Sequence, residues 1–144
     1  MTQSVLVARV AGERIAIPAQ LVQSVIQLGE VVSVPRAPGH IAGLTTLRSQ
    51  SLTVIDSALA LELEPQADGH ELALVTTIDG CGYAIAIDAV ENVVDAIGEP
   101  EALSLKLAPG WKRCAVGKLE TSVGVMLLID LERLIAGPVQ QKAA

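Results

Sequence analysis

Two aspartates stand where a pair of carboxylates could perform acid–base chemistry. Asp56 ends the apolar run LTVID, and Asp130 ends the apolar run MLLID. General acid–base catalysis also needs a reacting group within hydrogen-bond reach, and the sequence around these aspartates implies no such nucleophile–base pair. Each aspartate precedes a stretch of helical character, where a carboxylate that accepts backbone N–H groups stabilises the first turn. We therefore predict that both residues cap short helices.

The histidines and cysteines are too few and too scattered for a metal centre. The chain has two of each, His40, His70, Cys81 and Cys114, and their spacing matches no common metal-ligand pattern. Nucleophile elbows, zinc-protease helices, phosphate loops and dinucleotide-binding glycine patterns are also absent from the sequence. The sequence therefore predicts no enzyme, no catalytic residue, no metal and no cofactor. We expect both cysteines as reduced thiols near the core and His40 on the surface.

Arg48 is the side chain best suited to recognition. It is the only charged residue between Arg36 and Asp56, at the predicted tip of an apolar hairpin. The planar guanidinium pairs with carboxylates and is enriched at binding hot spots, although a solvated turn residue is an equally good interpretation. Arg36 is a weaker candidate of the same kind. Trp111 fits a buried position or an interface equally well.

Short strands separated by turns account for most of the chain. Runs rich in β-branched residues, bounded by glycine and other turn residues, favour strands over helices. A loop is predicted at residues 98–110 and a helix after Asp130. The predicted strands are 5–10, 13–17, 22–28, 41–47 and 51–55, then 72–78, 83–87, 90–97, 115–120 and 123–129.

The two halves of the chain resemble each other. Residues 12–25 are similar to residues 82–94, and the tripeptide Ala-Pro-Gly occurs once in each half. Gly43 also precedes Asp56 by the same interval that separates Gly117 from Asp130. One structural unit used twice, with about five short strands in each copy, predicts two small barrels and a surface at their junction.

Composition narrows the possible partners. The 144 residues are 51% hydrophobic with a net charge of −6, and the mean hydropathy is +0.50. Scattered basic residues and a near absence of aromatic residues argue against nucleic-acid binding. No apolar run reaches the ~18 residues needed to span a bilayer, and the N-terminal segment does not resemble a signal peptide. We expect a cytoplasmic protein without direct membrane insertion.

The order of these pieces resembles the CheW family of bacterial chemosensory scaffolds. The family pattern G-E-x-x-A-I begins at Gly12, V-P-x-A-P-x-x-I-x-G-L begins at Val34, and V-I-D begins at Val54. Leu47-Arg48 matches the centre of the family's N-L-R-G motif. Each piece is short, but their order and spacing together are specific.

The resemblance implies an all-β fold of two intertwined five-stranded SH3-like β-barrels, with short helices that include one at the C-terminus. It covers residues 4–135 as a single CheW-like domain. The repeat within it predicts barrel subdomains at about residues 12–64 and 71–135. The N-terminal strand, residues 4–10, can be exchanged into the other barrel.

The resemblance also implies a function, that of a non-catalytic adaptor coupling chemoreceptors to a CheA-type histidine kinase. The implied partners are the regulatory domain of that kinase, through barrel-to-barrel contacts, and the cytoplasmic tip of methyl-accepting chemoreceptors, in the groove between the barrels. The partner-binding residues implied in this way are Arg48, Val22, Val34, Ile41, Leu47, Val90 and Val94.

The chain departs from the family pattern in its polar residues. Ser49 replaces a glycine that permits a tight turn, and Ser24 stands where many members carry an acidic residue. An alternative is therefore a divergent CheW-like scaffold that has lost receptor coupling and binds another signalling regulator or itself. A third hypothesis, an enzyme or small-ligand barrel, rests on an apolar groove alone and would need a pocket with convergent polar groups.

Overall fold

The computed structural model describes residues 3–64, 70–103 and 106–138. Within these ranges each of the ten predicted strands is present, together with three short α-helices and one 3-10 turn at Ala19–Leu21. The helices are α1 (Ser57–Ala60), α2 (Pro109–Cys114) and α3 (Leu131–Ala136). The strands are β1 (Ser4–Val10), β2 (Glu13–Pro18), β3 (Ser24–Gln27), β4 (Ile41–Leu47), β5 (Gln50–Asp56), β6 (Leu72–Ile78), β7 (Cys81–Ile87), β8 (Ala89–Glu101), β9 (Ala115–Thr121) and β10 (Gly124–Ile129).

The strands form two five-stranded units, which confirms the predicted fold class. One is a closed barrel in the order β1-β2-β10-β9-β8, and the other is a sheet in the order β3-β6-β7-β5-β4. After β3 the chain crosses to the opposite edge of that sheet, where Val32 and Leu44 form an isolated antiparallel bridge. The second sheet therefore closes through this crossing segment rather than through a full strand pair.

The sheets divide the chain differently from the two halves of the repeat. The closed barrel combines the β1-β2 hairpin with β8, β9 and β10, whereas the second sheet combines the β6-β7 hairpin with β3, β4 and β5. The predicted subdomains 12–64 and 71–135 are therefore corrected, because β2 lies in the barrel built from the later strands. The exchange involves the whole β1-β2 hairpin and not residues 4–10 alone. Two parallel pairs, β2 with β10 and β7 with β5, join each hairpin to strands of the other half.

The repeat is reproduced in strand register. Gly43 in β4 and Gly117 in β9 each adjoin a β-bulge at the same place in their hairpins. A Cβ atom on Gly43 would overlap the carbonyl oxygen of Val32, and one on Gly117 would lie 2.6 Å from the carbonyl oxygen of Glu101. Both repeated glycines are therefore needed because a neighbouring backbone crosses the strand at that point.

Apolar side chains fill both barrels and the space between them. In β1, Val5 and Val7 point into the closed barrel, while Leu6 and Ala8 point into the junction between the sheets. Strands buried on both faces explain the near-continuous apolar runs and the high mean hydropathy. Buried apolar residues form three clusters, one in the closed barrel, one in the second sheet and one at the junction between them. The junction cluster is the largest and includes Trp111, which is 9% exposed. Trp111 is thus a core residue.

Candidate protein-interaction surface

The two candidate carboxylates cap helices, as the sequence predicts. Oδ1 of Asp56 accepts the backbone N–H of Leu59 at 3.1 Å at the start of α1. Oδ1 of Asp130 accepts the N–H groups of Glu132 and Arg133 at 2.9 and 3.3 Å at the start of α3. These bonds satisfy donors that the first helical turn leaves free.

Asp56 also belongs to an ion-paired cluster that the sequence did not reveal. His70 Nε2 lies 3.3 Å from Asp56 Oδ1, and His70 Nδ1 lies 3.0 Å from Asp88 Oδ1. The other oxygen of Asp88 accepts the backbone N–H of Ala11 at 2.7 Å. The cluster therefore links the end of β5 to the β1-β2 turn, that is, the second sheet to the closed barrel.

The cluster shifts two pKa values in opposite directions. The hydrogen bond with Asp56 raises the pKa of His70 above its usual value, although burial opposes this, and both neighbouring carboxylates add to the rise. Burial alone would raise the pKa of Asp56, but hydrogen bonds from His70 and Leu59 and the charge of His70 together lower it. Each shift favours the charged form. This is the behaviour of a structural ion pair.

His40 is buried, which corrects its expected surface position. Its Nε2 lies 2.8 Å from the carbonyl oxygen of Ile135, and its own carbonyl oxygen accepts the N–H of Asp56 at 2.8 Å. It thereby holds α3 against the end of β5. Cys81 is exposed, contrary to the expected core position, while Cys114 is buried, and burial raises the pKa of its thiol. Among the described residues no group of acidic, histidine and cysteine side chains is arranged to hold a metal ion.

Arg48 stands at the tip of the β4-β5 hairpin. Arg48 and Ser49 form its two-residue turn with φ values of 50° and 67°. Positive φ at both positions characterises type I′ hairpin turns, which normally use glycine at the second position. The left-handed conformation costs an ordinary residue roughly 1–2 kcal/mol. Both turn residues adopt this conformation despite its cost. Arg48 is exposed and forms no ion pair with any residue in the described ranges.

The other predicted binding residues lie in several places. Val22, Ile41 and Val90 are half-buried at the rim of the junction core. Leu47 packs against the interior of the second sheet, and Val94 against the interior of the closed barrel. The structure thus brings three of these side chains to the junction, and the other two are half-buried against the separate cores of the second sheet and the closed barrel.

A pair of aliphatic side chains that the sequence did not single out lies on the second sheet. Val32 and Leu44 are bridge partners and are 61% and 41% exposed. Val34, a predicted binding residue, follows Val32 closely and is 39% exposed. The alternation in β4 could have identified Leu44, because Gly43 and Thr45 point inward. We call Val32, Val34 and Leu44 the bridge patch.

A second aliphatic surface lies on the outside of the closed barrel. Ile97 in β8 and Val125 in β10 both pair with Glu120 in β9, so the three side chains form one row across three strands. Ile97 and Val125 are 53% and 59% exposed. Neighbouring aliphatic side chains that stay exposed in the folded chain mark a candidate protein–protein interaction site. We call these three residues the barrel row.

Comparison with known proteins identifies the family. A family model described as CheW-like domain matches residues 4–138. This chain belongs to the CheW-like domain family. Among solved structures, the scaffolding protein TtCheW from Thermoanaerobacter tengcongensis is similar, with a TM-score of 0.76, 21% sequence identity, and coverage of 93% of this chain and 88% of that chain. At this level of identity the likeness concerns the fold. No curated protein sequence matches the chain.

Membership of the CheW-like family supports a chemotaxis adaptor role for the chain. The surfaces described above are compatible with such a role, since each of the two barrels presents exposed aliphatic side chains. In the described part of this CheW-like chain no helix is long and apolar enough to cross a membrane.

Proposed function

We propose that this CheW-like chain is a non-catalytic adaptor that couples methyl-accepting chemoreceptors to a CheA-type histidine kinase. The observation that carries the proposal is the family match over residues 4–138. The bridge patch and the half-buried residues at the rim of the junction core support it, because an adaptor needs a surface for each of two partners. We place the adaptor in the cytoplasm, where the receptor tips and the kinase regulatory domain lie.

Arg48 is the proposed anchor of the kinase- and receptor-binding surface. The hairpin turn exposes its guanidinium while holding the backbone in an unfavourable conformation, and such strain is often retained at functional positions. A planar guanidinium can pair with a carboxylate on the partner through two parallel hydrogen bonds. Val32 and Leu44 on the same sheet form the apolar part of this proposed binding surface.

The junction rim is the proposed site of the receptor tip. Val22, Ile41 and Val90 come from three different elements and pack their buried sides against one core. Their exposed sides can accept aliphatic side chains of a receptor helix. An ordinary interface of this kind buries about 800 Å² on each partner, and a few anchoring residues supply most of its binding free energy.

Two substitutions favour a second candidate, a divergent scaffold that has lost receptor coupling and binds another regulator or itself. Ser24 is exposed on β3, where many family members carry an acidic residue. Ser49 occupies a left-handed turn position that suits glycine. Both changes alter the polar surface and leave the barrels intact.

Reconstitution with purified partners separates these candidates. The chain is mixed with a CheA regulatory domain, with a receptor cytoplasmic fragment, and with both, and complexes are measured by analytical ultracentrifugation. The adaptor proposal expects a binary complex with each partner and a ternary complex with both. A complex with the kinase domain alone would favour the divergent scaffold. Binding of neither partner would refute the adaptor proposal.

A further inference from the structure

A pocket opens on the closed barrel beside the barrel row, with which it shares Val125. It lies between the start of β2, the strand β10 and the segment before α2, and its volume is about 570 Å³. Small-molecule sites typically measure about 300–1,000 Å³ and combine an apolar lining with a few converging polar groups. The pocket therefore has the size of a site for a small organic ligand.

Apolar side chains form one part of the pocket wall. Trp111 from α2, Leu107 from the preceding segment and Leu127 from β10 all line it. Leu107 and Leu127 are half-buried, and their packing against the junction core fixes their positions in the pocket wall. An aromatic ring beside aliphatic groups offers a surface for the apolar body of a ligand.

Cationic side chains form the other part. Arg9, Arg14 and Lys118 line the pocket, three of the ten lysines and arginines in a chain of net charge −6. Arg9 Nε and Arg14 Nε lie 3.0 and 3.2 Å from the same oxygen of Glu91. Arg14 Nε is buried and has no hydrogen bond to any of the described residues.

The two guanidinium groups are therefore only partly used. One oxygen of Glu91 is shared between the guanidinium groups of Arg9 and Arg14. Arg14 Nη1 also donates a hydrogen bond to the carbonyl oxygen of Val123 at 3.2 Å. The terminal amino groups of Arg9 have no hydrogen-bond partner within the described ranges. Lys118 is 3.7 Å from the highly exposed carboxylate of Glu101, a distance and exposure at which the attraction is weak.

We propose that this pocket binds a monocarboxylate with an apolar body, its carboxylate held by Arg9 and Arg14 and its apolar part against Trp111 and Leu107. The planar guanidinium fork matches the geometry of a carboxylate. Either a free carboxylic acid or the C-terminal carboxylate of a peptide that ends in an apolar residue has this chemistry.

Local charges favour a monoanion over a dianion. Glu91 and Glu101 offset part of the positive charge, and Glu13, the single acidic residue among those lining the pocket, offsets more. The site thus supplies hydrogen-bond donors without a large net charge. A phosphate dianion would meet repulsion from Glu13 that a single carboxylate meets to a smaller degree.

The inference is independent of the adaptor proposal. Val125 is shared with the barrel row, but no pocket residue belongs to the bridge patch or to the junction rim (Val22, Ile41 and Val90), and Arg48 lies on the other sheet. Arg48→Glu is therefore expected to leave pocket binding unchanged, so failure of one proposal does not remove the other.

Trp111 provides a direct readout, because it is the only tryptophan in the sequence. The full chain is titrated with octanoate while Trp111 fluorescence is recorded, with octanol and octylamine as matched neutral and cationic controls. N-acetyl-leucyl-leucine and its C-terminal amide form a second arm. Saturable binding of octanoate alone points to a free acid, and tighter binding of the peptide acid than of octanoate points to a chain terminus.

Variants assign the binding to the cationic wall. Arg14→Gln is expected to weaken binding of the acid roughly tenfold, the loss typical of one hydrogen bond to a charged group. Arg9→Gln is the second variant, because Arg14 also contacts Val123 and its loss can affect folding. Arg36→Gln, at an exposed turn outside the pocket lining, is the control. Equal responses to octanoate and octanol, no saturable response to either acid, or unchanged affinity in both pocket variants would overturn the proposal.

Discussion

Val32 and Leu44 exchange two backbone hydrogen bonds, 2.9 and 2.8 Å long, at the open edge of the second sheet. These bonds join the segment after β3 to β4 and place two exposed aliphatic side chains next to each other. The same two hydrogen bonds therefore close the sheet and bring Val32 and Leu44 of the bridge patch together. Gly43 makes this possible, because any larger residue would overlap the carbonyl group of Val32.

The bridge predicts a specific sensitivity at Gly43. Gly43→Ala should lower the free energy of unfolding by about 2 kcal/mol or more, since its methyl group would displace the crossing backbone. Urea denaturation followed by circular dichroism measures this. Gly39→Ala is the matched control, because a Cβ atom at Gly39 would meet no described residue within 4 Å. Equal stability of the two variants would show that the bridge does not stabilise the sheet.

The turn at Arg48 predicts a gain in stability. Ser49→Gly should raise the free energy of unfolding by about 0.5–1 kcal/mol. Glycine adopts positive φ without steric cost, and this gain exceeds the loss that comes from the larger entropy of glycine in the unfolded chain. Gly80 is the second residue of the β6-β7 turn, the position that Ser49 occupies in the β4-β5 turn. It has a φ of 79°, and no described residue lies within 4 Å of the place where its Cβ atom would be. Gly80→Ser should be destabilising. Shifts of the same sign in both variants would refute the strain argument.

The His70 cluster predicts how stability depends on pH. The pKa of His70 is raised in the folded chain, so its contribution is complete below the unfolded value of 6.5 and is lost as pH rises through the higher folded pKa. The pKa of Asp56 is lowered, so its contribution is present above 3.8 and is lost as pH falls through the lower folded pKa. The cluster should therefore stabilise the fold most between these two limits.

Unfolding free energies of the chain and of His70→Gln, measured by urea denaturation across this range, test the sign. The difference between them should be largest below pH 6.5 and should shrink above it. Asp88→Asn, which keeps the Asp56 partner, should give an intermediate slope. A difference that stays constant between neutral and alkaline pH would contradict the assigned linkage.

Local patterns in the sequence were sufficient for most of the elements. An apolar strand that ends at an aspartate predicts a helix cap, and the structure confirms this at Asp56 and Asp130. Such signals depend on residues close together in the chain. Pro109 and Gly110 indicate a loop, but in the structure they begin α2, because proline is well accepted in a first helical turn.

Features that depend on distant pairing were not recoverable in the same way. The repeat showed that two halves were alike but could not show that each hairpin, β1-β2 or β6-β7, pairs with strands of the other half. His70 and Asp88 flank the β6-β7 hairpin, whose register pairs Leu72 with Ile87. Their contacts with Asp56 and with Ala11 depend on elements far apart in the chain, which no local pattern indicates. The sequence predicts His40 on the surface, but α3, which lies far along the chain, covers it.

Calorimetric titration with a CheA regulatory domain tests most directly whether this CheW-like chain couples a receptor to a kinase through a surface anchored at Arg48. Arg48→Glu should weaken binding about 30-fold or more, the loss of about 2 kcal/mol typical of a hot-spot residue. Lys112→Glu, an equal charge reversal at an exposed position on α2, should leave the affinity close to that of the unaltered chain. Equal affinity of Arg48→Glu and the unaltered chain, with both folded by circular dichroism, would contradict the account.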